Sequence, residues 1–299
     1  GNEELAKAIL GAHNEIVDQK MGSFEKLLQS RETLEGETKV VTTGKMVAAK
    51  FTHFISRPVE HESGEVTVDP QLHTHAVLMN VTQLESGEWR AIETRDIFDN
   101  YMNLGKEYRV DLAAKLSELG FEVEITDQDK AYFEIKLTGD KEKDGAIIEA
   151  MSQRAKEVKN TAVKLKEEMP NASDSELKQH AAWQSRTWKD GNLDRRQIVE
   201  DNIKRAEELG LTPDMIKTKE AEKLSGQDRE ELIKLHLQNA IEVLEENTSV
   251  FNTHDLLSTA GALGMRHGID TQEYIPYLTK NKELVDLSKG YYTTKTILA

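Results

Sequence analysis

The chain has 299 residues, no cysteine and a formal net charge of −15, with 37% hydrophobic and 31% charged residues. Disulfides and thiolate metal sites are therefore excluded, and no stretch approaches the roughly 18 consecutive apolar residues of a membrane span, so a soluble chain of two or three packing units is expected. The acidic balance does not exclude nucleic acid: residues 151–205 hold 12 Lys/Arg against 9 Asp/Glu, and a local basic face can neutralise phosphates within an acidic chain. The first residues, GNEELAKAIL, carry neither a basic nor an apolar leader segment, and Gly1 in place of Met suggests a processed or engineered beginning. Lack of cysteine fits a reducing cytoplasm.

From Glu3 to about Leu28, the residues Leu5, Ile9, Leu10, Ile16 and Val17 fall near one helical face and predict one helix, or two. The polar stretch SRETLEGET reads as a connection. KVVTTGKMVAAKFTHFISRPV, rich in β-branched and aromatic residues, predicts strand with a turn at Gly44. EHESGEVTVD reads as an exposed loop or small hairpin, and LHTHAVLMNVTQLESGEWRAIE as strand, turn at ESGE, strand. Asp99 to Leu119 is amphipathic helix with Gly120 as its stop, and FEVEITDQDKAYFEIKLT is a hairpin turning near DQDK. Beyond Gly145 the pattern is helical, with a break at EEMPNASDSELKQ where Ser173 or Asp174 can cap, and another at GLTPD. From Asn247 a last unit ends in the strand-like GYYTTKTIL. The expected class is α+β: an antiparallel sheet flanked by helices in residues 1–150, a helical extension in 151–235, and a small, mainly helical unit in 236–299.

The pair His73 and His75 carries the chemistry. Residues i and i+2 of a strand share a face, so both imidazoles project together with Val77 and Met79, and KFTHFISR offers His53 from a neighbouring strand with Phe51 and Ile55. Three imidazoles suit a divalent transition ion and leave coordination positions open for a substrate oxygen, which is Lewis-acid chemistry. On spacing alone an ordinary polar pair in a half-buried strand stays open. A cupin-like oxygenase is a further alternative, but its carboxylate ligand is missing, the next Glu being Glu85 in a turn.

GKMVAAKFTHFISR, then DPQLHTHAVLMN, then GEWRAIETRDIF closely resemble, in order and interval, the relaxase domain of MobF-class conjugative relaxase-helicases, members of the HUH endonucleases. The resemblance runs to about residue 230; SVFNTHDLLSTA and GYYTTKTILA resemble the beginning of the helicase part, winged-helix-like, and residues 151–235 the helical fingers. It implies a protein that nicks one strand at a plasmid transfer origin by transesterification, using a tyrosine nucleophile and a three-histidine site for a divalent ion, Mg or Mn in function with Zn, Ni or Cu also accepted. The implied ligands are His53, His73 and His75. Asp69 is implied as a supporting partner of the ligands, and Lys50 and Arg57 as contacts to the DNA. Implied partners are single-stranded DNA at the origin and conjugation accessory proteins, in the cytoplasm of a bacterium, with no membrane span.

Two departures from the pattern stand out. VEHESGEVT lengthens the interval after His53, and its His61 is not the expected ligand. The tyrosines Tyr101, Tyr108, Tyr132, Tyr274, Tyr277, Tyr291 and Tyr292 match no nucleophile motif, so this stretch is expected to lack the first strands of the relaxase core and to bind metal and DNA without nicking. A non-catalytic DNA-binding module with structural histidines is the competing expectation.

WQSRTWKDGNLDRR interleaves Trp183 and Trp188 with Arg186, Lys189, Arg195 and Arg196. Bases stack on aromatics and phosphates pair with cations, so Trp183, Arg186, Lys189 and Arg195 are candidate single-strand contacts; tryptophans packing a helical hairpin is the plainer alternative. His13, His180, His236, His254 and His267 lack ligand spacing and read as surface or capping residues. No GxxxxGK[ST] occurs, so no P-loop ATPase is encoded here.

Overall fold

The computed structural model describes residues 2–186, 194–212, 215–216 and 224–299. Helix α1 (Asn2–Lys26) begins on Glu3 and Glu4 and ends on Lys26, charges that complement the helix dipole. Its buried face is Ala12, Ile16 and Lys20, four residues apart, with His13 beside them. The polar SRETLEGET is not a connection but the greater part of a hairpin, β1 (Gln29–Leu34) and β2 (Glu37–Thr42). Its two-residue turn has positive φ at Glu35 and Gly36, the twist that tight hairpins require.

β3 (Ala48–Ile55) and β6 (Pro70–Leu78) form a two-stranded ribbon, interrupted by the small hairpin of β4 (Val59–Glu60) and β5 (Val66–Thr67). The Met79 amide donates to Val47 O and the Ser56 amide to Asp69 O, so the ribbon is antiparallel. β7 (Thr82–Gln83) and β8 (Trp89–Arg90) close a short hairpin over the ESGE turn. Helix α2 (Arg95–Glu118) ends in a left-handed Gly120: the Gly120 amide reaches Ser117 O and the Phe121 amide Leu116 O, the Schellman arrangement. β9 (Val123–Asp127) and β10 (Tyr132–Ile135) are the expected hairpin. Antiparallel pairing is thus as the alternation predicts, spread over separate ribbons.

Helix α3 (Lys141–Ala150) is capped by Asp140, and α4 (Gln153–Glu168) follows closely. α5 (Asp174–Gln184) starts at a capping box in which Ser173 and Glu176 exchange hydrogen bonds, and α6 (Arg195–Glu208) is capped by Asp194. α7 (Gly226–Glu245), β11 (Phe251–Asn252), α8 (Thr253–Gly264), two 3-10 turns, α9 (Ile275–Leu278), β12 (Leu284–Asp286), β13 (Tyr291–Thr294) and α10 (Lys295–Leu298) complete the chain, with a three-stranded sheet ordered β11-β13-β12.

Two compact units emerge, each discontinuous in sequence. The first comprises residues 1–48, 78–136 and 217–299; the second comprises 49–77 and 137–216. The first has a large core built on Leu237, Ile241, Phe251, Leu256, Ile269 and Tyr274, and a second cluster around Val110, Ala113 and Met265. A charged knot is also buried there: Lys20 Nζ lies 3.0 Å from Glu107 and 2.7 Å from Asp111, and Thr271 donates to Asp111 through its amide and hydroxyl. Burial alone would lower the Lys20 pKa, but Glu107 and Asp111 outweigh it and hold the ammonium above its ordinary value.

Two of the histidines expected at the surface are buried and a third is half-buried. His13 is buried and bonds the Tyr108 hydroxyl at 2.6 Å, His236 is buried against Tyr274, and His254 pairs with Glu107 at 2.7 Å. Each fills a helix face whose apolar spacing already pointed inward, and each finds a partner for its ring nitrogen, which is the condition for burying it.

Candidate metal centre and nucleic-acid surface

The β3–β6 ribbon sets the register of the three predicted ligands. Thr52 and Thr74 meet across it, hydroxyl to hydroxyl at 3.0 Å, so the adjacent positions, His53 and His73, oppose each other on the other face, with His75 two residues along. The rings are mutually edge-on, with centroids 5.3 Å apart for His53 and His73, 4.9 Å for His53 and His75, and 5.0 Å for His73 and His75. One nitrogen from each comes within 4.8 Å of the others, and no other group of this kind occurs among the described residues. Three ligand-capable nitrogens from two short strands thus converge on a single point.

The local hydrogen bonding suits ligation. His73 Nδ1 lies 3.0 Å from Gln71 O; a carbonyl only accepts, so Nδ1 carries the proton, and a neutral ring then presents its Nε2 lone pair. His53 and His73 are half-buried and His75 is exposed, so the point of convergence opens outward. Among the described residues no carboxylate joins the cluster, and the strands pair as short ribbons, neither of which fits a jelly-roll oxygenase. His61 is bonded to Thr67 inside the β4–β5 hairpin and stays out of the cluster, as expected.

The ribbon lies at the surface: Phe51 is 53% exposed, and Phe54, Val77 and Met79 are similarly open. Arg57, two residues beyond β3, is half-buried. Lys50 is exposed on β3.

Asp69, implied by the resemblance as a supporting partner of the ligands, lies next to the ribbon with its carboxylate bonded to two arginines. Its buried carboxylate accepts from Arg205 Nη2 at 3.1 Å and from the Arg154 amide at 3.1 Å, while its backbone and the Ser56 hydroxyl stitch the end of β3 to the start of β6. Sequence reading misses Arg154 and Arg205. An arginine in a charged helix reads as solvated, and nothing in its spacing says that it turns inward.

Trp183 is 71% exposed on α5 and is not part of the helical core, which is Leu165, Leu177 and Ala181. Arg186 and Arg195 are exposed. Lys189 and Trp188 lie outside the described residues. The second unit therefore exposes one aromatic ring, Trp183, and the cations Arg186 and Arg195, the kinds of group a single strand uses for stacking and phosphate pairing. No helix in the described residues is long and apolar enough to cross a membrane.

Residues 1–209 match the model of a family described as TrwC relaxase. The multifunctional conjugation protein TraI of Escherichia coli strain K12 is 28% identical over 313 aligned residues, covering 96% of this chain and 16% of that protein. Among solved structures, the metal-free complex of conjugative relaxase TrwC with oriT DNA is similar at 30% identity and a TM-score of 0.56, over 69% of this chain and 66% of that one. A metal-bound complex of TrwC with oriT DNA is similar at the same identity and TM-score, over 69% and 65%. This chain spans only 16% of the curated relative's length. With residues 1–209 of its 299 matched, the chain belongs to the TrwC relaxase family.

Proposed function

We propose that this chain supplies the metal site and part of the single-strand surface of a conjugative relaxase, which nicks one strand at a plasmid transfer origin by transesterification in the bacterial cytoplasm, alongside conjugation accessory proteins. The observation that carries the reading is the convergence of His53, His73 and His75 on one face of the ribbon, in a chain of a relaxase family. Those three residues would hold one divalent ion, Mg or Mn in function, with Zn, Ni or Cu also fitting an all-imidazole set. When bound, the ion supplies Lewis-acid stabilisation of charge on phosphoryl oxygens. Neutral imidazoles leave its double positive charge uncompensated, which favours an anionic phosphodiester over a neutral substrate.

The chain's own residues do the rest. The guanidinium of Arg57 and the ammonium of Lys50 bind phosphate near the triad; Trp183 stacks a base, and Arg186, Lys189 and Arg195 pair with the backbone. Residues 151–235 serve as the fingers, and 236–299 begin a helicase segment. The exposure of His75 speaks against purely structural histidines, because the chain's structural ones, His13 and His236, are buried and bonded to tyrosines. The attacking tyrosine is not among the seven of these 299 residues. The unit that carries the triad contains none, and burial pushes the Tyr108 hydroxyl up to about 12, away from nucleophilic ionisation.

The test is incubation of the chain with a labelled transfer-origin oligonucleotide and Mn2+. A mobility shift that disappears on denaturation is expected. A covalent adduct that survives denaturation overturns the assignment of the nucleophile, and no shift at any concentration overturns the DNA-binding role.

A further inference from the structure

The triad strand and the Trp183 end of α5 belong to the same compact unit, and a continuous polar chain joins them. Asp69 immediately precedes β6. One carboxylate oxygen accepts from the Arg154 amide at the start of α4, 3.1 Å away. The Arg154 guanidinium then reaches across to the end of α5, donating to Ala182 O at 3.0 Å, to Ser185 O at 2.8 Å and to Ser185 Oγ at 2.9 Å, and it also pairs with Glu157. These carbonyls are among the last of α5, which have no partner inside their own helix, so a cation bound to them fixes the helix end and complements its dipole.

The other carboxylate oxygen of Asp69 holds Arg205 of α6, whose guanidinium also donates to Ala150 O at 2.6 Å and to Asn202 at 3.0 Å. The ends of α3, α4 and α5 and one side of α6 are thus tied, directly or through one arginine, to a single carboxylate, which is 4% exposed. Charge-assisted hydrogen bonds of this kind are short, directional and costly to break when buried. Their polar groups hold one geometry where the small apolar cluster of Leu165, Leu177 and Ala181 could slide.

We propose that Asp69 is a positioning residue for the DNA: through Arg154 and Arg205 it holds the Trp183 and Arg186 end of α5 in fixed placement relative to the histidine triad, so that one single strand engages both. This rests on the function proposed above and adds to it. It also reassigns Asp69, since a carboxylate spent on two arginines does not tune an imidazole.

The experiment uses the whole chain. Mn2+ affinity is measured by calorimetry, and the affinity for a labelled oligodeoxythymidine of about 16 nucleotides by fluorescence anisotropy, with and without Mn2+. Asp69→Asn and Arg154→Ala are expected to leave Mn2+ affinity within about twofold while weakening the oligonucleotide about tenfold. Trp183→Ala added to either is expected to cost less than it does alone, because the stacking residue has already lost its placement. Rescue of binding in Arg154→Lys, which restores a cation at the helix end, is expected to be partial.

A loss of Mn2+ affinity in Asp69→Asn as large as that in His73→Ala overturns the proposal in favour of direct support of the ligands. Unchanged oligonucleotide affinity in Arg154→Ala overturns it as well. If Asp69→Asn fails to fold, Arg154→Ala decides alone, since its backbone amide still serves Asp69. A wild-type chain that binds neither probe refutes the underlying function; a wild-type chain that binds both, with variants like it, refutes only the positioning role.

Discussion

The two units stabilise themselves in different ways. The first buries Leu237, Ile241, Phe251, Leu256 and Tyr274 in one cluster and adds the Lys20, Glu107 and Asp111 knot. The second, which carries the triad, has a small cluster at Leu165, Leu177 and Ala181, an open ribbon face and a buried carboxylate with two arginine partners. Apolar packing scales with area removed from water, so the first unit is the more stable by construction. The unit that offers the chemistry keeps its imidazoles and aromatics reachable and relies on directional polar bonds for shape. The contrast fits a general exchange, in which surfaces that bind ligands forgo burial.

The contrast can be broken at its strongest point first. Lys20→Met leaves two carboxylates buried without their cation, and the expected cost is about 4 to 5 kcal/mol, read as a drop in the denaturant midpoint. A wild-type midpoint would mean that the knot is not an ion pair. Truncation of matched leucines comes next: Leu256→Ala, at 0% exposure in the first unit, should cost about 4 kcal/mol, and Leu177→Ala, in the thinner cluster of the second, about 2 kcal/mol. Equal costs would contradict the ranking of the two cores.

A third effect, no larger than the loss at Leu177, is a pH dependence in the first unit. Burial, aided by the neighbouring His267, lowers the pKa of His236 to about 4. An unfolded histidine takes up its proton near 6.5, so between those values the unfolded state binds more protons than the folded one. The stabilising contribution is therefore fully present above pH of about 6.5 and is lost as the pH falls toward 4, on the order of 2 kcal/mol. Chemical denaturation of the parent and of His236→Gln across that range should show a shallower acid decline in the variant; parallel profiles would remove His236 from the account.

Much of this architecture is legible in the chain. The i, i+2 spacing of His73 and His75, the β-branched run around His53, the ESGE turn, the Ser173 cap and the Gly120 stop each express a local rule, and each recurs in the structure. What was not legible depends on partners distant in sequence. Residues 29–42 pair as a hairpin although both strands are largely polar, because Glu35 and Gly36 adopt the turn and Thr33 meets Thr38 across it. Arg154, Arg205, Lys20 and the buried histidines look like solvated residues until the fold brings Ser185, Asp69, Glu107 and the tyrosine hydroxyls to them. The exposure of the ribbon is not legible for the converse reason: apolar side chains such as Phe51 and Val77 favour burial, yet they stay half-open in the fold.

The central claim is that His53, His73 and His75 form one metal site, and a calorimetric titration of the chain with Mn2+ tests it most directly. A single site per chain is predicted, weakened by acidification because ligation needs neutral imidazole, and each of His53→Ala, His73→Ala and His75→Ala should lower the affinity more than about 100-fold, beyond what loss of a supporting residue usually costs. Mn2+ affinity unchanged in any one of the three variants would contradict it.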